Sequence, residues 1–153
     1  MEYLPWVGAA LALAFAFVLQ RKVMAAPDGT DRMKELATAI QEGAKAFLVT
    51  EYKLLTIFVV VVAIGLFALG EDKGGGAPTA VAFLAGAFAS ALAGWIGMHT
   101  ATRAAVRTTE AARTGLAGAL TIAFRSGTVM GMAVVGLGLA GVKLFTSLYG
   151  IDE

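Results

Sequence analysis

Three arginines in residues 97–115, GMHTATRAAVRTTEAARTG, are the side chains best suited to do chemistry in this sequence. Arg103 and Arg107 are four residues apart, so they are neighbours on a helix, and Glu110 is spaced to pair with Arg107 or Arg113. Guanidinium groups bind phosphate through paired hydrogen bonds, so this arginine cluster could attract phosphate groups. We favour the alternative, that the cluster fixes the orientation of a membrane segment, because it explains both the charge and the location of all three arginines.

Other polar residues are isolated. Glu42 could bind a cation, although a solvated helix face or an interhelical salt bridge is the simpler interpretation. Arg125 either bonds to a neighbouring helix or extends its charge into the lipid headgroup layer. His99, which borders an apolar run, is interpreted as an interfacial hydrogen-bonding residue rather than a ligand. We predict no catalytic, cofactor-binding or metal-binding residue, and we predict these structural or interhelical residues: Glu42, Arg103, Arg107, Glu110, Arg113 and Arg125.

The composition is that of a membrane protein. Hydrophobic residues make up 58% of the 153 residues, charged residues only 15%, and the mean hydropathy is +0.77. The absence of cysteine excludes disulfides and thiol chemistry. No phosphate-binding loop or HExxH motif is present. The apolar runs carry no ionisable group near their centres, which excludes a rotary-ATPase ring subunit, since that subunit needs a carboxylate in mid-membrane.

Four uncharged runs are long enough to cross a bilayer, which needs about 20 apolar residues. The flanking residues of the first run disfavour a signal peptide, because the residues before the run are acidic and the basic pair follows it. We therefore predict an all-α membrane protein with four transmembrane helices. The predicted spans are about 3–20, 54–70, 78–98 and 126–146.

Orientation follows from the lysines and arginines. Of the 12, only Lys73 and Lys143 lie outside the first and third connections. Since basic residues accumulate on the cytoplasmic side, both termini are predicted to lie outside. Residues 21–53 and 99–125 are then cytoplasmic extensions. Apolar residues at a spacing of three and four from Met33 to Leu48 predict that the first extension is helical.

Two long helices are predicted to join these extensions to spans. One continuous helix should run from about Thr30 to Leu69, and another from Pro78 to about Arg113, because nothing in either stretch breaks a helix. Small residues recur in four-residue steps and predict close packing between helices. These rows are Gly86, Ser90 and Gly94 in the third span, and Gly127 and Gly131 in the fourth.

Three segments together go further: AIQEGAKAFLVTEY (39–52), GWIGMHTATRAAVRTTEAARTG (94–115) and AFRSGTVMG (123–131). In order and spacing they resemble the first four helices of the membrane-bound, ion-pumping inorganic pyrophosphatases. The resemblance covers nearly the whole chain. Two departures stand out: Thr50 replaces a usual arginine, and Ala105 replaces an expected asparagine.

The resemblance implies an N-terminal, outer-ring segment of a larger helical bundle that forms a homodimer. In that family pyrophosphate hydrolysis at the cytoplasmic side drives a proton or a sodium ion outward. The complete enzyme is expected to need magnesium, with potassium as a further possible requirement. The acidic pyrophosphate-binding motif of the family begins on a later helix, so we expect no catalytic residue and no cofactor in this segment.

The resemblance also implies the partners and the location. We expect the lipid bilayer, the remaining pyrophosphatase helices and a second copy as partners, pyrophosphate only in the complete protein, and no nucleic acid. The location is the cell inner membrane. The leading hypothesis is a segment of a pyrophosphate-energized ion pump that is not catalytic by itself. The alternative is a non-enzymatic four-helix scaffold or assembly partner.

Overall fold

The computed structural model describes residues 3–70 and 76–149, and α-helix is the only regular secondary structure within these ranges. The all-α prediction is confirmed, and four long helices account for nearly all of the described residues. Their bounds are α1 Leu4–Met24, α2 Asp31–Leu69, α3 Ala77–Thr114 and α4 Leu116–Tyr149.

Local sequence signals define the starts of the two central helices. Thr30 caps α2, since its side-chain oxygen accepts a 3.4 Å hydrogen bond from the backbone nitrogen of Met33. Pro78 lies in the first turn of α3, where its missing N–H costs nothing. The two continuous helices predicted from about Thr30 to Leu69 and from Pro78 to about Arg113 are therefore confirmed.

The predicted extension 99–125 is divided between two helices. Gly115 alone separates the end of α3 from the start of α4, so residues 116–125 form the first turns of α4. With about 1.5 Å per residue, α2 and α3 are each about 57 Å long, well beyond the roughly 30 Å hydrocarbon core. Both helices must therefore project past the bilayer at one or both ends.

The helices form a row in the order α2, α3, α4, α1, in which neighbours run in opposite directions. At one end the Tyr149 hydroxyl donates to the carbonyl of Pro78 at 3.4 Å. The α1–α2 connection and Gly115 lie at the opposite end. We call this opposite end the basic end, because it carries the arginine cluster.

Glycines allow close approach at two crossings. A Cβ at Gly97 in α3 would lie 2.6 Å from the sulfur of Met130 in α4. A Cβ at Gly136 in α4 would lie 2.7 Å from Cγ of Leu13 and 3.2 Å from the carbonyl oxygen of Ala9, both in α1. The backbones can approach this closely only because neither position has a side chain.

The small-residue rows predicted from sequence are mostly not the packed ones. A Cβ at Gly86, Gly127 or Gly131 would meet nothing within 4 Å, so the packing prediction is wrong for these three glycines among the described residues. Gly94 does face a neighbour, because its Cβ would lie 3.3 Å from the Tyr52 hydroxyl. The physical reason is the helical period: a strict four-residue step drifts by about 40° each time. The buried row of α3 instead mixes steps of four and three: Ala93, Gly97, Thr100 and Ala104.

A large apolar surface remains uncovered. In α2 only Ala37 and Ala63 are buried. The large apolar side chains that are more than 60% exposed on this helix are Leu54, Ile57, Phe58, Val61, Ile64 and Phe67. All four helices are long and apolar enough to cross a membrane. Water would not tolerate such a surface, so the chain is an integral membrane protein.

Candidate functional site

Arg107 joins the end of α3 to the connection between α1 and α2. Its Nε donates a 3.1 Å hydrogen bond to the backbone carbonyl of Ala26, just after α1 ends. One terminal nitrogen of the same guanidinium donates at 2.8 Å to the carbonyl of Arg103. Ala26 lies beyond the end of α1, where its carbonyl is outside the helical hydrogen-bond pattern, so the guanidinium supplies a donor there.

The other arginines of the cluster make local contacts. Arg103 donates to the carbonyl of His99, four residues earlier, at 3.2 Å. Arg113 pairs with Glu110 at 3.0 Å. This pair is largely exposed on the arginine side, so it contributes little to stability. Among the described residues Glu110 forms its ion pair with Arg113 and not with Arg107.

Glu110 also limits which residue can occupy the α1–α2 connection. Gly29 has a φ of +82°, a conformation that favours glycine. A Cβ at this position would lie 2.9 Å from a carboxylate oxygen of Glu110 and 2.7 Å from the sulfur of Met33. The turn between α1 and α2 is thus seated on α3 by Arg107 and Glu110, which lie one helical turn apart.

Glu42 and Arg125 have no hydrogen-bond or ion-pair partner within residues 3–70 and 76–149. Glu42 is exposed on α2, and Arg125 is half-buried on α4. The interhelical role of both residues therefore stays a prediction. Any protein partner would have to come from outside the described ranges.

Tyr52 forms an interhelical bond that the sequence did not single out. Its hydroxyl donates at 2.6 Å to the backbone carbonyl of Ala91, and so ties α2 to α3. Gly94 leaves the space that this hydroxyl occupies. No periodicity in the sequence identifies such a pair, because the acceptor is a backbone carbonyl whose side chain is only a methyl group. Buried tyrosines usually find such a partner.

An open groove of about 1180 Å³ runs between α2 and α3 on the same side as Tyr52. We call it the α2–α3 groove. Its apolar wall includes Leu48, Val49, Ile57, Trp95 and Met98. Its polar residues include Glu42, Lys45, Lys53, His99 and Arg103. The sequence singles out Glu42, His99 and Arg103 but gives no indication that they line one groove.

His99 lines the α2–α3 groove beside Trp95. Its ring lies 5.1 Å from the Trp95 ring, centroid to centroid. Its Nδ1 is buried and has no hydrogen-bond partner among the described residues. The two rings therefore lie next to each other in the lining of the groove.

Metal-ligating side chains are not clustered in the part of the chain that the structure describes. Within residues 3–70 and 76–149 no group of three or more His, Asp or Glu side chains could hold a metal ion. Of the carboxylates that the structure describes, Glu42 alone lines the α2–α3 groove, and lysines accompany it there. A magnesium ion bound to protein is usually held by one or two carboxylates together with substrate phosphates, and a surplus of cations disfavours it.

Comparison with known sequences decides the family. The model of the family described as inorganic H+ pyrophosphatase matches residues 10–152. The chain belongs to this family. The resemblance inferred from the three motif segments is thereby confirmed.

Individual members of the family are similar in sequence to nearly the whole chain. The chain is 43% identical over 151 residues to "K(+)-insensitive pyrophosphate-energized proton pump 2" of Moorella thermoacetica, which covers 97% of this chain and 21% of the relative. It is 41% identical over 140 residues to a "K(+)-insensitive pyrophosphate-energized proton pump" of Methanosarcina mazei, covering 92% of the chain and 20% of the relative.

A relative that is named as a sodium pump is similar to a comparable degree. A "Putative K(+)-stimulated pyrophosphate-energized sodium pump" of Clostridium tetani is 48% identical over 122 residues, which is 80% of the chain and 17% of the relative. The chain thus spans about a fifth of the length of the curated relatives it matches. Overall similarity does not distinguish proton pumps from sodium pumps.

Proposed function

We propose that this chain is the outer-ring, N-terminal segment of a pyrophosphate-energized ion pump, and that it is not catalytic by itself. Hydrolysis of pyrophosphate would occur elsewhere in the pump and drive a proton or a sodium ion across the membrane. The observation that carries the proposal is the family match over residues 10–152 together with the one-fifth span of the relatives. The arginine cluster supports it, because its guanidinium groups are committed to backbone carbonyls and Glu110.

In this proposal the segment braces the pump. The Arg107–Ala26 bond and the Tyr52–Ala91 bond each join two parts of the helix row. The exposed apolar face of α2 would contact lipid or the remaining helices of the pump. A second copy of the pump, pyrophosphate and magnesium, with potassium as an optional activator, would be partners of the complete protein and would bind outside this segment.

We further propose that the chain lies in the cell inner membrane with its N-terminus outside and its basic end in the cytoplasm. The excess of lysine and arginine at that end supports this orientation. The chain has no cysteine, so single cysteines report position without background. Gly75→Cys should react with an impermeant reagent added outside cells, and Ala112→Cys should react only after the cells are opened. The reverse pattern would refute the orientation.

Co-expression tests the function. A relative from which the matching segment has been deleted should hydrolyse no pyrophosphate alone, and the chain should hydrolyse none alone. Together in one membrane they should regain magnesium-dependent hydrolysis. Turnover by the purified chain alone, compared with a mock preparation, would overturn the non-catalytic assignment. A folded, membrane-inserted chain that never restores the deleted relative would instead favour a separate scaffold protein.

A further inference from the structure

The α2–α3 groove has a charge pattern that no role described so far uses. Lys45, Lys53 and Arg103 line it together with a single carboxylate, Glu42. None of the three cations forms an ion pair with a described residue. Arg103 donates to the backbone carbonyl of His99, and a carbonyl carries no charge that could balance the guanidinium. Three cations and one carboxylate therefore leave the groove with a net positive charge, and no ion pair with a described residue balances the cations.

Apolar side chains line the same groove between and beyond the two lysines. Leu48, Val49 and Ile57 from α2 face Trp95 and Met98 from α3. From Lys45 to Ile57 the helix advances about 18 Å. This length matches the depth of a headgroup together with much of one leaflet, since half of the hydrocarbon core is about 15 Å thick.

The position of the cations along the chain fits a membrane interface. Lys53 immediately precedes the uncharged stretch 54–70, and His99 immediately follows 78–98. Lys45 lies two turns beyond Lys53, within the reach of a long side chain that extends towards the interface. Leu48 and Val49 lie on α2 between Lys45 and Lys53, so the apolar wall begins between the two lysines and ends beyond Lys53 at Ile57. Lys45 and Arg103 are the groove cations nearest the basic end, and the long side chain of Lys53 can extend towards them, so that all three can meet one headgroup.

We propose that the α2–α3 groove binds an anionic phospholipid. The phosphate is held by Lys45, Lys53 and Arg103, and one acyl chain lies along Val49, Ile57, Trp95 and Met98. Basic pockets between membrane helices recognise anionic headgroups in this way. A free phosphate or pyrophosphate would contact only the cationic side chains and leave the apolar wall of the groove exposed. A covering protein helix would have to bring carboxylates to this depth. The proposal requires only that the chain crosses a bilayer, not that it pumps ions.

Trp95 offers a direct probe, because the chain has only two tryptophans. In the Trp6→Phe chain, Trp95 is the sole tryptophan and can be excited selectively. The full chain is reconstituted in phosphatidylcholine bilayers that contain increasing fractions of a lipid with brominated acyl chains. The brominated lipid is either phosphatidylglycerol or phosphatidylcholine with the same chains. Because bromine quenches tryptophan only at short range, quenching measures which lipid occupies the groove.

We expect brominated phosphatidylglycerol to quench Trp95 at a mole fraction at least five-fold lower than brominated phosphatidylcholine, which is the factor for about one interfacial cation. The triple variant Lys45→Gln/Lys53→Gln/Arg103→Gln should lose this preference. The matched control Arg21→Gln/Lys22→Gln/Arg32→Gln removes the same charge from the basic end outside the groove and should keep it. Lys53→Gln alone, with unchanged helix content, replaces the triple variant if that variant does not insert.

Four results would overturn the proposal. Equal quenching by both lipids means that the groove does not select a headgroup. Equal loss of preference in the control variant means that only the overall charge matters. Loss of preference on adding pyrophosphate, but not sulfate of the same ionic strength, means that the site takes a soluble anion. Absence of quenching by either lipid means that protein, such as a second copy of the chain, covers the groove.

Discussion

The crossing of α1 and α4 at Gly136 allows a quantitative test of the helix row. In Gly136→Ala the new Cβ would lie 2.7 Å from Cγ and 2.8 Å from Cδ2 of Leu13, and 3.2 Å from the carbonyl oxygen of Ala9. Real Cβ atoms do not approach carbon this closely. Cγ is the branch point of Leu13 and the Ala9 oxygen belongs to the backbone, so the helices themselves must separate.

The expected magnitude follows from two opposing contributions. Overpacking a close contact costs about 1–3 kcal/mol. Alanine favours a helix over glycine by about 1 kcal/mol, which offsets part of that cost. Gly136→Ala should therefore lower the free energy of unfolding by up to about 2 kcal/mol. Gly138→Ala is the matched control, because a Cβ there meets nothing within 4 Å. It should raise the free energy of unfolding by up to about 1 kcal/mol.

The assay is reversible unfolding in mixed micelles of increasing sodium dodecyl sulfate content. It is followed by the fluorescence of Trp6 on α1 in a Trp95→Phe background. Gly97→Ala provides an intermediate case: its Cβ meets the sulfur of Met130, and this flexible side chain can move aside. If Gly136→Ala proved as stable as Gly138→Ala, the close approach of α1 to α4 would be refuted.

Three further predictions concern hydrogen bonds between elements. Tyr52→Phe removes only the donor to the Ala91 carbonyl and should cost about 1 kcal/mol in the same unfolding assay, whereas an unchanged midpoint would show that the bond adds nothing. Arg107→Ala should cost about 1 kcal/mol and speed proteolysis next to Ala26, and Arg107→Lys should recover only part of this because lysine lacks the planar guanidinium. Arg125→Lys, measured in a complete pump that contains this segment, should lower thermal stability if Arg125 bonds to another helix, and wild-type stability would leave extension into the headgroup layer as the sufficient explanation.

The sequence contains most of the information about the helices. Uncharged runs locate the four spans, because a span must be apolar along its whole length. The three-and-four spacing from Met33 to Leu48 identifies the part of α2 that precedes its span, because that spacing is the period of one helix face. The end of α3 was predicted at about Arg113, but the start of α4 directly after Gly115 was not.

The contacts between helices were less predictable. Arg107 and Tyr52 both donate to backbone carbonyls. Every residue carries a backbone carbonyl, so the sequence cannot identify which one is the partner. Small-residue rows likewise occur on several faces of a glycine-rich helix. Gly97 and Gly136 are packed while Gly127 and Gly131 are not, and only the rotation of each helix about its axis decides between them.

The most direct test of the account is ion transport by a chimera. The matching segment of the Moorella thermoacetica relative is replaced by this chain, and the chimera is reconstituted in sealed vesicles. Magnesium pyrophosphate added outside should drive ion uptake, with a ratio of uptake to hydrolysis equal to that of the parent. A well-folded chimera that hydrolyses no pyrophosphate, or that hydrolyses it without uptake, would contradict the claim that this chain is a working segment of such a pump.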